Sequence, residues 1–350
     1  MIHSRNKVAI PPGYSIREQL SNRFMSQKEF SSRMDMSEKH ISRLINGKVE
    51  LTHDVALRLE SVFGIPAKFW NNMEAIYREQ EARVHEELEL EYDEEIASKM
   101  PYAKCAGFGW VPQTQNIKKK VYNLRSYFEV ANLRALEHLE VPGIAYRKAS
   151  SSISSDYSLA MWAQKARIEA RAIATDPIDV KRLIQIIPRI RALTTTEPSY
   201  FCKEIRTLLA KCGIALVFLP HISGSFLHGA TFKDGGHIVL GLTVRGKYAD
   251  KFWFSLFHEL GHIICDHISD NTDNYEENEE AADKFAQDTL VPAHQYDEFI
   301  SRRNFSKSDI VFFSTTIDVA PWIVLGRLQK ENHVPYNWHN TMKVKYVITE

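Results

Sequence analysis

The chain has 350 residues, which is enough for two or three domains with a sizeable core and excludes a small disulfide-stapled protein. Hydrophobic residues make up 44% and charged residues 25% of the chain, and this mixture excludes global disorder. Lysine plus arginine and aspartate plus glutamate each number 44, so any nucleic-acid contact must be local.

The cysteines and the apolar runs bear on the cellular location. The four cysteines form no CxxC pair and are too few for a disulfide framework, which favours a reducing compartment. Residues 1–12 lack the apolar core of a signal peptide, and the longest apolar runs fall far short of the roughly 20 residues of a membrane span. We therefore predict a cytoplasmic protein that makes no membrane contact.

Helix-capping residues recur in the first 70 positions. Ser15, Ser26, Ser37 and Thr52 each precede a run with helical spacing of apolar residues, and Pro66 opens a fifth run. Asn46 and Gly47 end the third run. The first three predicted helices are Ile16 to Phe24, Gln27 to Met34 and Glu38 to Ile45.

One face of these helices is apolar, and the third helix has a polar outward face. Apolar positions at helical spacing predict a small common core. A helix that exposes long polar side chains after a tight turn can enter the major groove of DNA, while Gln27, Asn46 and Lys48 meet phosphates. The predicted core positions are Phe30, Met34, Ile41, Leu44, Val55, Leu59 and Val62, and the outward residues are Glu38, Lys39, His40, Ser42 and Arg43.

Two segments, Ser26 to Phe30 and Ile41 to Lys48, resemble the Cro/C1-type helix-turn-helix family and its HigA antitoxin-like branch. Many relatives carry Gly in the turn where this chain has Asp35, a residue that visits left-handed conformations readily. The basic excess of the region is small, so we predict that a homodimer binds a palindromic operator in double-stranded DNA. The resemblance implies base contacts by Glu38, Lys39 and Arg43, and the whole predicted DNA-binding set is Gln27, Ser37, Glu38, Lys39, Arg43, Asn46 and Lys48.

An acidic stretch follows this region. Residues 81–95 hold eight acidic residues and one arginine, and residues 66–100 contain no glycine. This composition predicts a helical connector with a solvated acidic face. Between residues 102 and 191, helix-like segments such as 156–174 and 179–190 carry no motif that indicates a chemistry.

The segment from Trp253 to Ile264 contains HExxH inside an apolar helix. His258 and His262 are four residues apart and share one helix face, so both imidazoles can bind one metal ion. Glu259 stands beside them, where it can take a proton from water. Because zinc prefers such nitrogen and oxygen ligands, the motif predicts a zinc site with Glu259 as general base.

The third metal ligand must come from elsewhere in the chain. His267 is one residue short of the metzincin spacing and Cys265 stands where that family needs glycine, so we reject a third histidine. A second helix is predicted from Glu276 to Ala286, on which Glu279 can bind the metal while Asp283 accepts a hydrogen bond from a ligating histidine. The acidic residues interpreted as solvated are Glu276, Glu277 and Glu280.

This part of the chain resembles the ImmA/IrrE family of metallopeptidases over about Ala210 to Pro292. The matching features are the HELGH helix, the acidic helix with Ala282, and the tripeptide Leu290-Val291-Pro292. Relatives of this family cut a helix-turn-helix repressor. The resemblance implies zinc binding by His258, His262 and Glu279, with Glu259 as general base and Asp283 orienting His258.

A buried strand at residues 214–219 and a hairpin at residues 230–242 are predicted before the metal motif. The hairpin would place a strand near the metal, and a peptide could add to its edge. The donor that stabilises the oxyanion stays open among Tyr248, Arg245, His228 and His237.

The predicted fold class is α+β, with an all-α helix-turn-helix domain, a helical connector and a mostly helical zincin-like domain with a small sheet. The predicted domains are residues 1–80, 81–200 and 201–350. Two functions compete. The first is a DNA-binding regulator whose zinc-dependent endopeptidase cuts a repressor, a partner or the chain itself, and the second is a non-catalytic antitoxin or autorepressor whose zinc domain binds a partner, such as a toxin, or senses a signal.

Overall fold

The computed structural model describes residues 2–4, 7–137, 153–222, 229–243, 248–268 and 275–346. The predicted α+β class is confirmed, because helices dominate and a small sheet lies in the C-terminal part. The chain forms two compact units. The N-terminal unit comprises Met1–Ser98, Asn116–Tyr122 and Asn132–Arg134, and the C-terminal unit comprises Lys99–Gln115, Asn123–Ala131 and Ala135–Glu350.

Helix caps shape the first hundred residues. The hydroxyls of Ser26, Ser37 and Thr52 each accept a hydrogen bond from the N–H three residues ahead, which confirms three of the predicted caps. The acidic connector is one continuous helix, as predicted. The elements are β1 (Ile2–His3), β2 (Val8–Ala9), α1 (Gly13–Asn22), α2 (Gln27–Met34), α3 (Glu38–Ile45), α4 (His53–Phe63) and α5 (Ala67–Lys99).

The predicted bounds of the first helix are wrong. Pro12 takes the N-cap position instead of Ser15, because its ring fixes φ near the helical value. The helix ends before Phe24, whose φ of 52° is left-handed. Gly13 lies so close to α3 that a Cβ atom there would be 1.9 Å from the carbonyl oxygen of Ile45, so only glycine fits.

The helices of the N-terminal unit close over one aromatic core. Trp70 is fully buried, and the rings of Phe30 and Phe63 stack with centroids 5.2 Å apart. Six of the seven predicted core positions are buried, and Val62 packs half-buried against them. The prediction that His40 points away from the core is wrong: the side chain is half-buried with an enclosed Nε2, because it lies one helical turn from buried Leu44.

The C-terminal unit adds further helices and a three-stranded sheet. The elements are α6 (Tyr102–Gly107), α7 (Ile117–Phe128), α8 (Ile153–Ala170), α9 (Val180–Ala192), α10 (Pro198–Ala210), β3 (Ile214–Phe218), β4 (Gly229–Asp234), β5 (His237–Leu242), α11 (Ala249–Ile264), α12 (Tyr275–Leu290), α13 (Ala293–Ser301), α14 (Lys307–Thr316) and α15 (Pro321–Lys330). Helix α7 begins in residues of the N-terminal unit. Helix α8 ends four residues earlier than predicted, because the N–H groups of Ala172 and Ile173 bond the carbonyl three residues back and tighten the last turn.

The sheet has the order β3-β5-β4. Strand β5 pairs parallel with β3 and antiparallel with β4 through the predicted hairpin, whose two-residue turn joins Asp234 to His237. Strand β3 is buried along nearly its whole length, as its apolar run predicts. Helix α11 packs against β4 and β5, so the metal motif lies against the sheet.

All four cysteines are free. Within the described residues, no single helix is both long and apolar enough to cross a membrane. One pair, Lys307–Thr316 with Pro321–Lys330, meets the length and composition criteria together but is bent by 114°.

Two glycines with left-handed backbone provide a matched stability test. Gly213 has φ of +79°, and a Cβ atom there would lie 2.5 Å from the Cα of Ile178, whereas Gly235 has φ of +59° and open space around it. Gly235→Ala should cost about 1–2 kcal/mol from backbone strain alone. Gly213→Ala should cost about 3 kcal/mol or more because the clash adds to the strain. Urea denaturation measures both, and equal losses of stability would contradict the predicted clash.

Candidate metal centre and nucleic-acid interface

Helix α11 is held in the core on most of its circumference. Trp253, Leu256, Phe257 and Leu260 are completely buried, so the helix cannot rotate without exposing large apolar surface. The remaining face carries the two histidines of the motif, which are half-buried and one turn apart.

A close helix contact brings the acidic helix to this face. A Cβ atom at Gly261 would lie 3.1 Å from the Cα of Ala282, so the absence of a side chain lets α11 and α12 approach each other. On α12, the acids predicted to be solvated are exposed. Glu279 instead turns toward the histidines.

Three side chains form a small triangle. The Nε2 atoms of His258 and His262 are 3.1 Å apart. Nε2 of His258 lies 3.4 Å from Oε2 of Glu279, and Nε2 of His262 lies 3.4 Å from Oε1 of the same carboxylate. Zinc bonds of about 2.0–2.1 Å at tetrahedral angles place neighbouring ligand atoms about 3.3–3.4 Å apart. One ligand atom from each residue lies within 4.8 Å of the other two, so the three residues fit a single zinc ion, and they are the one such group among the described residues.

His258 is oriented from its far side. Its Nδ1 lies 2.8 Å from Oδ1 of Asp283, whose Oδ2 accepts a hydrogen bond from Lys330 at 3.3 Å. Burial lowers the pKa of His258, but hydrogen bonds to Asp283 and Glu279 outweigh it and raise the pKa to about 9. Burial opposes ionisation of both carboxylates, yet their bonds to the imidazole hold the pKa values of Glu279 and Asp283 below their ordinary range. The site is built around a positive charge.

His262 has a partner that the sequence argument did not assign. Its Nδ1 lies 3.1 Å from Nδ1 of His267, the residue rejected as a third ligand. His267 thus touches the ring atom that faces away from the triangle. The five-residue separation of His262 and His267 in the sequence is the feature that could have indicated this contact.

Glu259 follows His258 on α11 and contacts strand β4 instead of joining the triangle. It is buried, and its Oε2 accepts a hydrogen bond of 2.6 Å from Oγ1 of Thr231 on β4. A Cβ atom at Gly229 would lie 2.8 Å from Cγ of Glu259, so strand β4 leaves just enough room for the carboxylate. The predicted hairpin is therefore adjacent to the motif.

The four candidates for the oxyanion donor lie in different parts of the chain. His228 and Arg245 lie outside the described residues. Tyr248 precedes α11 and is separated from His258 by ten residues, about 15 Å along a helix. His237 pairs with Asp234 at the end of the hairpin opposite Gly229.

The outward face of α3 is as predicted for four of its five positions. Glu38, Lys39, Ser42 and Arg43 are exposed, and Gln27 and Lys48 are exposed at the neighbouring helix end and turn. Asp35 ends α2 with φ of 52° and ψ of 50°, which confirms the left-handed turn. The two helices are therefore joined as a tight helix-turn-helix.

Some predicted contact residues also have structural partners. Ser37 caps α3, and the amide of Asn46 donates to the carbonyl of Ser42 and accepts from Arg17. Arg17 also donates to the carbonyl of Ile45 and so holds the C-terminal end of α3. Sequence reasoning missed Arg17, because nothing in a single arginine signals a partner 28 residues away.

Comparisons with known proteins find relatives of both the N-terminal helix-turn-helix and the C-terminal domain that carries the HExxH motif. Residues 16–70 match the family described as Helix-turn-helix, and residues 230–318 match the IrrE N-terminal-like domain of the M78 peptidases. The chain is 34% identical over 71 residues, 20% of its own length and 76% of the other protein, to the uncharacterized HTH-type transcriptional regulator YddM of Escherichia coli K12.

The chain belongs to the helix-turn-helix transcriptional regulators. It carries an IrrE/ImmA-like domain in its C-terminal part. A solved structure, an addiction module antidote protein of the HigA family from Coxiella burnetii, is 29% identical, covers 21% of this chain and 82% of its own, and superposes with a TM-score of 0.21.

The arrangement of His258, His262 and Glu279 predicts which substitutions abolish metal binding. We expect one zinc ion per chain, lost in His258→Ala or His262→Ala, because three protein ligands leave no redundancy. Glu279→Ala should weaken zinc binding by more than the roughly 10–100-fold typical of losing an outer partner of a ligand. Zinc content after dialysis and chelator competition measure this.

Glu280→Ala is the matched control, because Glu280 is the next residue on α12 and is exposed. It should keep zinc at the wild-type affinity. Stoichiometric zinc in the double variant His258→Ala/His262→Ala would reject the site, and loss of zinc in the Glu280 variant alone would show that Glu279 is not the ligand.

Proposed function

We propose that this regulator is a cytoplasmic zinc-dependent endopeptidase that relieves repression by cutting a repressor, a partner protein or its own chain. The observation that carries the proposal is the triangle of His258, His262 and Glu279 beside the buried carboxylate of Glu259. A structural zinc site has no need of a carboxylate that lies next to the ligands without joining them.

The three side chains would hold the metal through two imidazole nitrogens and one carboxylate oxygen. Asp283 keeps the proton of His258 on Nδ1, so the lone pair of Nε2 faces the metal position. Zinc held there would lower the pKa of a water molecule and polarise the carbonyl of the scissile peptide bond.

Glu259 would carry the proton in this reaction. Its carboxylate takes a proton as the water oxygen attacks the peptide carbonyl, and it delivers that proton to the amide nitrogen as the C–N bond breaks. Thr231 donates to one carboxylate oxygen, which fixes the direction of the other. The substrate would add as an extended strand to β4, which pairs with β5 alone among the described strands.

The helix-turn-helix would deliver this activity to DNA. We propose base contacts from the exposed Glu38, Lys39 and Arg43, and phosphate contacts from Gln27, Lys48 and the ends of α3 at Ser37 and Asn46. A homodimer would match two half-sites of a palindrome.

Substitutions on the exposed face test the DNA contacts. Arg43→Ala should cost about 1–3 kcal/mol on a duplex selected by the wild type from a random pool and should relax sequence preference. Lys48→Ala should weaken selected and scrambled duplexes alike and lower the salt slope by about 1. Binding is measured by fluorescence anisotropy at several salt concentrations.

Lys181→Ala, an exposed position in the C-terminal unit, is the control for loss of one positive charge and should leave DNA affinity unchanged. If Arg43→Ala and Lys48→Ala both bind like wild type, the assigned interface is wrong.

Glu259→Gln tests the peptidase. The amide keeps the shape of the side chain but cannot take a proton, so zinc content and DNA affinity should survive while hydrolysis falls by at least about 100-fold. Fragments are quantified by mass spectrometry after incubation with proteins of the neighbouring operon and with the chain itself.

Glu277→Gln removes an exposed carboxylate of the same charge and should behave like wild type. If Glu259→Gln relieves repression or neutralises a partner toxin as wild type does, and no fragment forms with either protein, the non-catalytic antitoxin or autorepressor function replaces the peptidase.

A further inference from the structure

Helix α11 ends in a turn that returns the chain toward His262. Cys265 is the C-cap, and the next residue, Asp266, has a left-handed backbone with φ of 57°. The N–H of Asp266 donates to the carbonyl of Ile263 at 3.2 Å, and the N–H of His267 donates to the carbonyl of His262 at 2.9 Å. These two bonds form a Schellman motif, in which the second residue after the cap lies over the last turn of the helix. His267 occupies that position.

The side chains of His262 and His267 meet because of this turn. A side-chain contact between these two positions of a Schellman motif is usually hydrophobic. Here it joins two half-buried imidazoles, whose Nδ1 atoms lie 3.1 Å apart and whose ring centres are 5.3 Å apart with planes inclined by 68°. The distance is that of a hydrogen bond. The backbone and the side chain of His267 are thus both bonded to one residue of the HExxH motif.

The contact reaches the nitrogen of His262 that faces away from the triangle. Nε2 belongs to the triangle, where a metal ion would need its lone pair. A neutral imidazole carries one N–H and one lone pair, so the proton of His262 must then lie on Nδ1. That N–H needs an acceptor. Nδ1 of His267 provides one when the proton of His267 is on Nε2, and His267 is itself outside the group of converging ligand atoms.

We propose that His267 is a positioning residue of the metal centre, whose Nδ1 accepts a hydrogen bond from the Nδ1–H of His262 and so aims the Nε2 lone pair of His262 at the metal position. The inference rests on the metal centre of the proposed function. Metal-binding histidines generally donate their second N–H to an outer partner, which sets ligand orientation and metal affinity. In this arrangement His267 acts on His262 as Asp283 acts on His258.

The two histidines differ in the charge of their outer partners. Asp283, the partner of His258, is a carboxylate, and Glu279 adds another at the triangle. A further carboxylate in place of His267 would increase the negative charge of a half-buried site. A neutral imidazole accepts a hydrogen bond through its lone pair and orients His262 without that charge. An acceptor must therefore be present at position 267, and it need not be charged.

Two substitutions separate the acceptor from the bulk of the side chain. His267→Asn keeps an acceptor, because the amide Oδ1 is attached at the same point along the side chain as Nδ1 of histidine. His267→Leu keeps an apolar contact in the turn but has no acceptor. We expect the zinc dissociation constant of the full chain, measured by chelator competition, to rise about 10–100-fold in His267→Leu and to stay within about threefold of wild type in His267→Asn.

Cobalt in place of zinc tests the orientation of the ligands directly. Zinc has a filled d shell, whereas the visible absorption of Co²⁺ depends on the geometry of its ligands. The Co²⁺ spectra of wild type and His267→Asn should coincide, and that of His267→Leu should differ because His262 is no longer held. The metal-free forms of both variants should melt at the same temperature, which excludes a general loss of folding as the cause.

Two further leucine variants serve as controls. Asp283→Leu removes the outer partner of His258 and should weaken zinc binding by a similar factor. His294→Leu makes the same exchange as His267→Leu at an exposed position on α13 and should bind zinc like wild type.

The outcomes separate the positioning role from the metal centre itself. If His267→Leu binds zinc like wild type or keeps the wild-type cobalt spectrum, or if His267→Asn loses as much affinity as His267→Leu, the proposal is overturned and the metal centre stands. If the wild-type chain binds no zinc, the metal centre of the proposed function fails and the role of His267 falls with it.

Discussion

The contact between Gly261 and Ala282 is the constraint on which the metal centre depends. A side chain at position 261 would push α12 outward, because a Cβ atom there is already 3.1 Å from the Cα of Ala282. The carboxylate of Glu279 is 3.4 Å from each imidazole nitrogen, close to the edge of a zinc tetrahedron. Because ordinary van der Waals contact begins at 3.4 Å, even alanine at this position would require α12 to give by a few tenths of an ångström, and a larger side chain would require more. Backbone packing thus decides whether the three side chains can share one ion.

The charges around His258 favour its positively charged form. Two carboxylates, Glu279 and Asp283, face the imidazole of His258 and raise its pKa to about 9 although burial opposes the charge. The same contacts lower the pKa values of both carboxylates. A positive charge at this point is therefore stabilised whether a proton or a metal ion supplies it. Lys330 balances the outer carboxylate, so the arrangement does not leave an excess of buried negative charge.

The sequence predicts what depends on neighbours along the chain. The caps at Ser26, Ser37 and Thr52, the left-handed Asp35 and the pairs four residues apart on α11 and α12 all follow from local spacing. Two residues missed by this reasoning act across long separations: Thr231 donates to Glu259 over 28 residues, and Lys330 donates to Asp283 over 47. Their residue types are common and their spacing carries no period, so tertiary packing alone selects them.

The position of Glu259 bears on the kind of metal site that His258, His262 and Glu279 could form. Its carboxylate is buried against β4 and bonded to Thr231, and it is not one of the atoms that converge within 4.8 Å. A structural zinc site is usually closed by a fourth protein ligand, whereas a catalytic one keeps that position for water or substrate. Here the carboxylate of Glu259 is bonded to strand β4. Burial of an ionisable group in such a place costs free energy unless it is bonded, and the 2.6 Å bond from Thr231 supplies a partner. A carboxylate kept near the candidate ligands but out of their set is what proton transfer requires, and this supports the peptidase function proposed above.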